Sequence, residues 1–248
     1  MDYEIGEMIR LAPGAVELHD ARRSIRRTVT LEAFSISRCA LVRNGSDRPT
    51  SGVTWFEAVD LCNRLSSAHG LQPAYTANDR QVRWDVRANG FRLPTEAEWE
   101  YACRAGTTGP HYGDLREIAW TSLDGVDGPQ PVRRKQPNAF GLYDTLGNVW
   151  EWCWDYLDPA RYGDYRVFRG GSWADPPWSV RASTRRGSAP DAVVEGTGLR
   201  LARGAMSADG SEAPEAAQGW SADQDRARAS ISGPLPAGWT PLRELNSP

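Results

Sequence analysis

The sequence predicts an α+β domain dominated by loops, and three features carry that prediction. Two stretches have helical spacing behind a capping box, short segments have strand alternation, and long connections rich in Gly, Pro and Trp separate them. With 248 residues, 40% of them hydrophobic, the chain is long enough to bury one sizeable core. A compositional break near Ala205 divides a domain over residues 1–205 from residues 206–248, which are rich in Ala, Ser, Gly, Pro and Asp without sustained periodicity. That tail is expected to be largely disordered, or docked on a groove through Trp220, Trp239, Leu242 and Leu245.

The elements follow in chain order. Thr28 to Ser37 (TVTLEAFSIS) places apolar residues largely at alternate positions and reads as one half-buried strand. Asn44-Gly45 marks a turn. In TWFEAVDLCNRLSSAHG, Thr54 and Glu57 form a capping box, Trp55, Ala58, Val59, Cys62 and Leu65 share a face, and Gly70 ends the run. The pattern repeats in LPTEAEWEYACRAG, with Thr95 and Glu98 as the box, Trp99, Ala102 and Cys103 on one face, and Gly106 as the stop. YRVFRGGSW, Tyr165 to Trp173, is a short strand running into a Gly-Gly pair suited to a bulge or a close backbone approach. Loops of this length need large aromatic side chains to hold them, which accounts for 11 Trp.

Composition excludes several classes. A net charge of -3 provides no basic field for nucleic acid. The first residues carry acids where a signal peptide carries bases, and no segment approaches a membrane span, so a soluble, cytoplasmic chain is expected. Cys39, Cys62, Cys103 and Cys153 form no CxxC pair and read as small core residues. His19, His69 and His111 are far apart and in no HExxH arrangement, and no GxSxG elbow, Walker loop or dinucleotide fingerprint is present.

Two polar clusters remain. In GLYDTLGNVWEWCWDYLD, Asp144 and Glu151 stand seven residues apart across a glycine-containing turn. Either they donate oxygens to a hard cation while backbone carbonyls complete the shell, or Asp144 and Asn148 cap turns and the carboxylates face water. In RGGSWADPPWSVRASTRRG, Asp175 lies among tryptophans and arginines. It could act on a substrate as a base or metal ligand, or simply start a turn before Pro176 and Pro177, with the arginines in ion pairs.

Taken in order, FRLPTEAEWEYACRAGTT, NAFGLYDTLGNVWEWCWDY, RVFRGGSW, RASTRR and GLRLAR resemble the formylglycine-generating enzyme, or sulfatase-modifying-factor, family. The resemblance runs from about Met8 to Arg203 and implies a variant of the C-type-lectin-like fold, with two helices packed on short antiparallel sheets. It also implies one structural calcium ion, held by the side chains of Asp144 and Glu151 and the carbonyls of Gly147 and Val149.

Function carries over less directly. The family's oxidases hold copper with two cysteines after the RGGS motif, because soft thiolates suit Cu(I). Here Asp175 takes the first position and no cysteine follows Cys153, so copper is not expected. The helical domain that supplies iron ligands in the related sulfoxide synthases has no room in this chain. Two readings remain. One is a non-catalytic binding or accessory module, similar to the variable proteins of diversity-generating retroelements. It would display Trp173, Asp175, Trp178, Ser179, Arg181, Ser183 and Arg185 to a protein or small-molecule ligand. The other is an oxidoreductase or maturation enzyme of the formylglycine-generating enzyme family with non-copper chemistry.

Overall fold

The computed structural model describes residues 3–20, 25–78, 80–158 and 162–204. The boundary at Ala205 and the tail 206–248 lie outside the described residues.

Strands β1 (Tyr3–Glu4), β2 (Met8–Leu11), β3 (Gly14–Asp20), β4 (Ile25–Leu31), β5 (Phe34–Ser37) and β6 (Val42–Arg43) precede helix α1 (Trp55–Ala68). Then come β7 (Tyr75–Asn78), β8 (Gln81–Trp84), β9 (Phe91–Arg92), helix α2 (Glu96–Arg104) and a one-turn helix α3 (Leu115–Ile118). The described chain ends with β10 (Trp150–Tyr156), β11 (Arg166–Arg169), β12 (Arg185–Ser188), β13 (Thr197–Leu199) and β14 (Ala202–Arg203).

Both predicted helices form where expected. Thr54 accepts from the Glu57 amide while the Glu57 carboxylate accepts from the Thr54 amide, and Thr95 and Glu98 repeat the exchange. Each box answers two backbone donors that a helix start leaves without partners, a contribution of about 1 kcal/mol. The segment from Thr28 to Ser37 is not one strand. It breaks at Glu32-Ala33 into β4, which pairs with β3, and β5, which pairs with β2.

Two four-stranded sheets frame the domain. One has the order β2-β5-β14-β9 and the other β12-β11-β10-β13. The expectation of purely antiparallel sheets holds except for β13, which runs parallel to β10. Trp150, Trp152 and Trp154 alternate along β10, and all three belong to the main apolar cluster with Trp55 and Leu65 of α1. Around Trp154, Tyr75 stacks at 5.2 Å and Trp84 meets it edge-on at 5.5 Å. The tryptophans therefore bind irregular segments together, as their number suggests.

The interior also contains ion pairs. Arg92 pairs with Glu98 at 2.7 Å, both nearly unexposed. Arg169 of β11 reaches Glu96 and Glu100, two acids one turn apart on α2. Arg185 of β12 also binds Glu96, at 2.8 Å through its second terminal nitrogen. This ladder fixes α2 across the second sheet. Among the described residues, no helix is long and apolar enough to cross a membrane.

Candidate functional site

The second sheet leads directly into the Gly-Gly pair. Gly170 and Gly171 have φ of 101° and 86°, and a Cβ would come within 2.8 Å of the Thr145 carbonyl at the first and 2.7 Å of Val180 at the second. Only glycine fits, because the chain passes tightly against its neighbours here. That approach delivers Asp175 to the inside of the fold.

Asp175 is buried. Its Oδ2 accepts from the Trp150 indole at 2.8 Å, from the Ser172 amide at 3.0 Å and from the Ser172 hydroxyl at 2.6 Å. Its Oδ1 accepts from Arg186 at 3.0 Å and from the Ser179 hydroxyl at 3.5 Å. The Arg186 guanidinium also donates to Ser179 at 2.9 Å and lies over the Trp150 ring at 5.0 Å. A carboxylate with this many donors is a clamp that closes the loop onto β10, and no acceptor capacity is left for a substrate proton.

The structure divides the predicted display set. Asp175 and Ser179 face inward, and Arg185 is tied to Glu96, because each satisfies a polar group within the loop or the ladder. Trp178 stands 68% exposed on the turn after Pro176 and Pro177, and Arg181 is exposed. Trp173 and Ser183 are half-buried. Arg186, Trp150 and Ser172 were missed as partners of Asp175. The local pattern gives no sign of them, except that Ser172 stands three residues before the acid.

The four cysteines are free; Cys62, Cys103 and Cys153 are buried and Cys39 half-buried. Burial raises every one of these thiols, with Cys103 pushed up to about 12. Deprotonated sulfur is what Cu(I) requires, and no cysteine follows Cys153 in the sequence. The donor set does not fit copper. Among the described residues, no group of three His, Cys, Asp or Glu is arranged to hold a metal ion.

The proposed calcium ligands divide. Asp144 is 2% exposed, with φ 53°. Its Oδ2 accepts from the Arg133 amide at 2.8 Å, and its Oδ1 has no hydrogen-bond partner. Burial raises its carboxyl to about 6, with the Arg133 amide and the Arg200 charge opposing the shift. Glu151 is fully buried and already answered. Arg200 binds it through Nε at 2.9 Å and through a terminal nitrogen at 2.8 Å, and the Trp99 indole donates at 2.7 Å. Gly147, at φ 71°, packs its Cα against the Trp120 carbonyl, where a Cβ would sit at 2.2 Å, and Val149 is buried. Asp144 fits a cation ligand. Glu151 would have to share its oxygens with Arg200. Neither carboxylate faces water.

Fold and site together define a C-type-lectin-like domain with the Gly-Gly strand of a sulfatase-modifying scaffold and no copper thiolates. Residues 39–205 match the family model described as sulfatase-modifying factor enzyme 1-like domain, and the chain belongs to that family. Over 149 residues it is 40% identical to inactive C-alpha-formylglycine-generating enzyme 2 of Bos taurus, covering 50% of this chain and 49% of that one. Over 161 residues it is 37% identical to the formylglycine-generating enzyme of Streptomyces coelicolor, covering 52% and 51%. The chain spans about half the length of these curated relatives. Among solved structures it resembles Treponema denticola variable protein 1, with a TM-score of 0.73 and 29% identity over 82% of this chain and 98% of that one.

Proposed function

We propose that the chain is a non-catalytic binding module on the sulfatase-modifying-factor scaffold. It recognises a protein or small-molecule partner through Trp173, Trp178, Arg181 and Ser183. The observation that carries this reading is the state of Asp175: the residue standing where the family's oxidases keep a copper thiolate is a buried structural clamp. An exposed Trp beside an exposed Arg supplies the aromatic area and guanidinium fork that dominate recognition surfaces. Two comparisons point the same way, since one relative is named inactive and the variable protein shares the fold over most of this chain.

The reading includes one structural calcium at Asp144, Gly147, Val149 and Glu151, supported by the unanswered Oδ1 of Asp144. The test is affinity capture with the wild-type chain and with Trp178→Ala and Arg181→Ala. Loss of one reproducible partner in either variant, at unchanged melting temperature, is expected. Recovery of a covalently altered substrate from the wild type would replace the binding reading with an enzymatic one.

The likeness to a variable protein favours one further form of this reading, in which the segment from Arg166 to Arg203 is diversified by a retroelement. An imperfect adenine-substituted repeat of its coding DNA beside a reverse transcriptase would identify that form. Without the repeat, the module is fixed.

A further inference from the structure

A cavity of about 460 Å³ is lined by Arg181, and Asp175 is not among its lining residues. One wall is the β3-β4 hairpin, another is the C-terminal end of α2 with the loop after it, and Arg181 and Ser183 close the third. The volume suits a small organic molecule or one peptide side chain with its flanking backbone.

Charge accounting shows what it would accept. Arg104 faces the cavity but is spent: it pairs with Glu100 at 2.7 Å and donates to the carbonyls of Thr108 and Gly109. Arg26 is answered within the wall by Glu17 at 2.5 Å. Both members of that pair are more than half exposed, so it is a weak and exchangeable one. Arg181 is different. It is exposed, it lines the cavity, and no carboxylate pairs with it among the described residues. Among the described residues, Arg181 is therefore the cavity's guanidinium without a carboxylate partner, and Ser183 and Thr108 share the lining with it. The Tyr101 ring and Val16 supply apolar wall.

We propose that this cleft binds a small organic anion, with a carboxylate or phosphoryl group on the Arg181 guanidinium and an apolar body against Tyr101. The guanidinium fork matches either oxyanion in two-point geometry, and Ser183 and Thr108 bring hydroxyl donors to the same lining. The proposal deepens the binding-module reading, because Arg181 and Ser183 belong to that surface.

The experiment titrates the ¹⁵N-labelled full chain with benzoate, phenyl phosphate and uncharged benzamide, following amide shifts of Thr107, Thr108 and Ser183. Saturable shifts with at least one anion, none with benzamide, and weakening as salt rises are expected. The tighter anion identifies the oxyanion source. Arg181→Gln should weaken binding about tenfold or more, the scale of a lost charge-assisted hydrogen bond. Thr108→Glu, which places a negative charge at an exposed position of the wall, should abolish it with the melting temperature unchanged. Equal binding by wild type and Arg181→Gln, equal shifts with benzamide, or no shifts at all would overturn the proposal. If Trp178→Ala loses partner capture while wild type ignores both anions, the cleft is wrong and the binding module stands.

Discussion

The indole nitrogen of Trp150 donates to Asp175 Oδ2 at 2.8 Å, joining the first residue of β10 to the loop that follows the Gly-Gly pair. The acid that follows the Gly-Gly pair is thereby committed to holding the fold. Replacing Asp175 with Ala leaves the Trp150 indole and the Ser172 amide buried without an acceptor, and each such orphan costs about 1–3 kcal/mol. Urea unfolding should show a loss of at least about 2 kcal/mol, with the Trp150 emission altered. A variant as stable as wild type would mean that Asp175 is free for chemistry.

Gly147 lies between the proposed cation ligands and has φ 71°, and a Cβ there would meet the Trp120 carbonyl at 2.2 Å. Gly125 has φ 64° with nothing within 4 Å. Gly125→Ala should therefore cost only the left-handed strain of about 1 kcal/mol, and Gly147→Ala several times as much or outright failure to fold. Matched thermal melts separate the two, and equal losses would show that the close approach is not needed.

Burial holds the Asp155 carboxyl well above the ordinary range, with Glu96 adding to the effect and Arg185 opposing it. The native state thus retains a proton that the unfolded chain releases. Stability from this group is complete below the unfolded carboxylate pKa and falls as pH rises toward the raised native value, by up to about 1.4 kcal/mol per pH unit. Asp155→Asn should flatten the stability profile between pH 5 and pH 7, roughly the window above an unfolded Asp. Parallel profiles for the two proteins would contradict the assignment.

Calcium should raise the melting temperature of chelator-treated protein, and Asp144→Asn should remove that response by taking away the unanswered carboxylate. Identical melts with and without calcium would delete the ion from the account.

The two helices were legible because their signals are local: Thr54 with Glu57 and Thr95 with Glu98 sit three residues apart, and the structure uses both pairs as capping boxes. The strand break at Glu32-Ala33 leaves only a one-residue slip in the alternation, from Val29 and Leu31 to Phe34 and Ile36, and the pairing with β3 and β2 that separates the halves is not local. The need for glycine at 170 and 171 could be read in outline, while the neighbours that impose it, Thr145 and Val180, could not. For Asp175 the sequence leaves a role on a substrate and a structural role both open, for the same reason. Its partners Trp150 and Arg186 lie 25 and 11 residues away, and spacing along the chain does not report contacts made by folding. The burial of Glu96 and Glu100 has no local signal either, since it depends on Arg169 arriving from β11.

The central claim, that this scaffold recognises rather than oxidises, meets its most direct test in a mass measurement. The full chain is incubated aerobically with Cu(I), reductant and a cysteine-containing sulfatase peptide, and the peptide mass is followed. The account predicts an unchanged peptide, because no cysteine follows Cys153 in the sequence and Asp175 is consumed by the fold. Conversion of the cysteine thiol to an aldehyde, at a rate that depends on the protein, would contradict it.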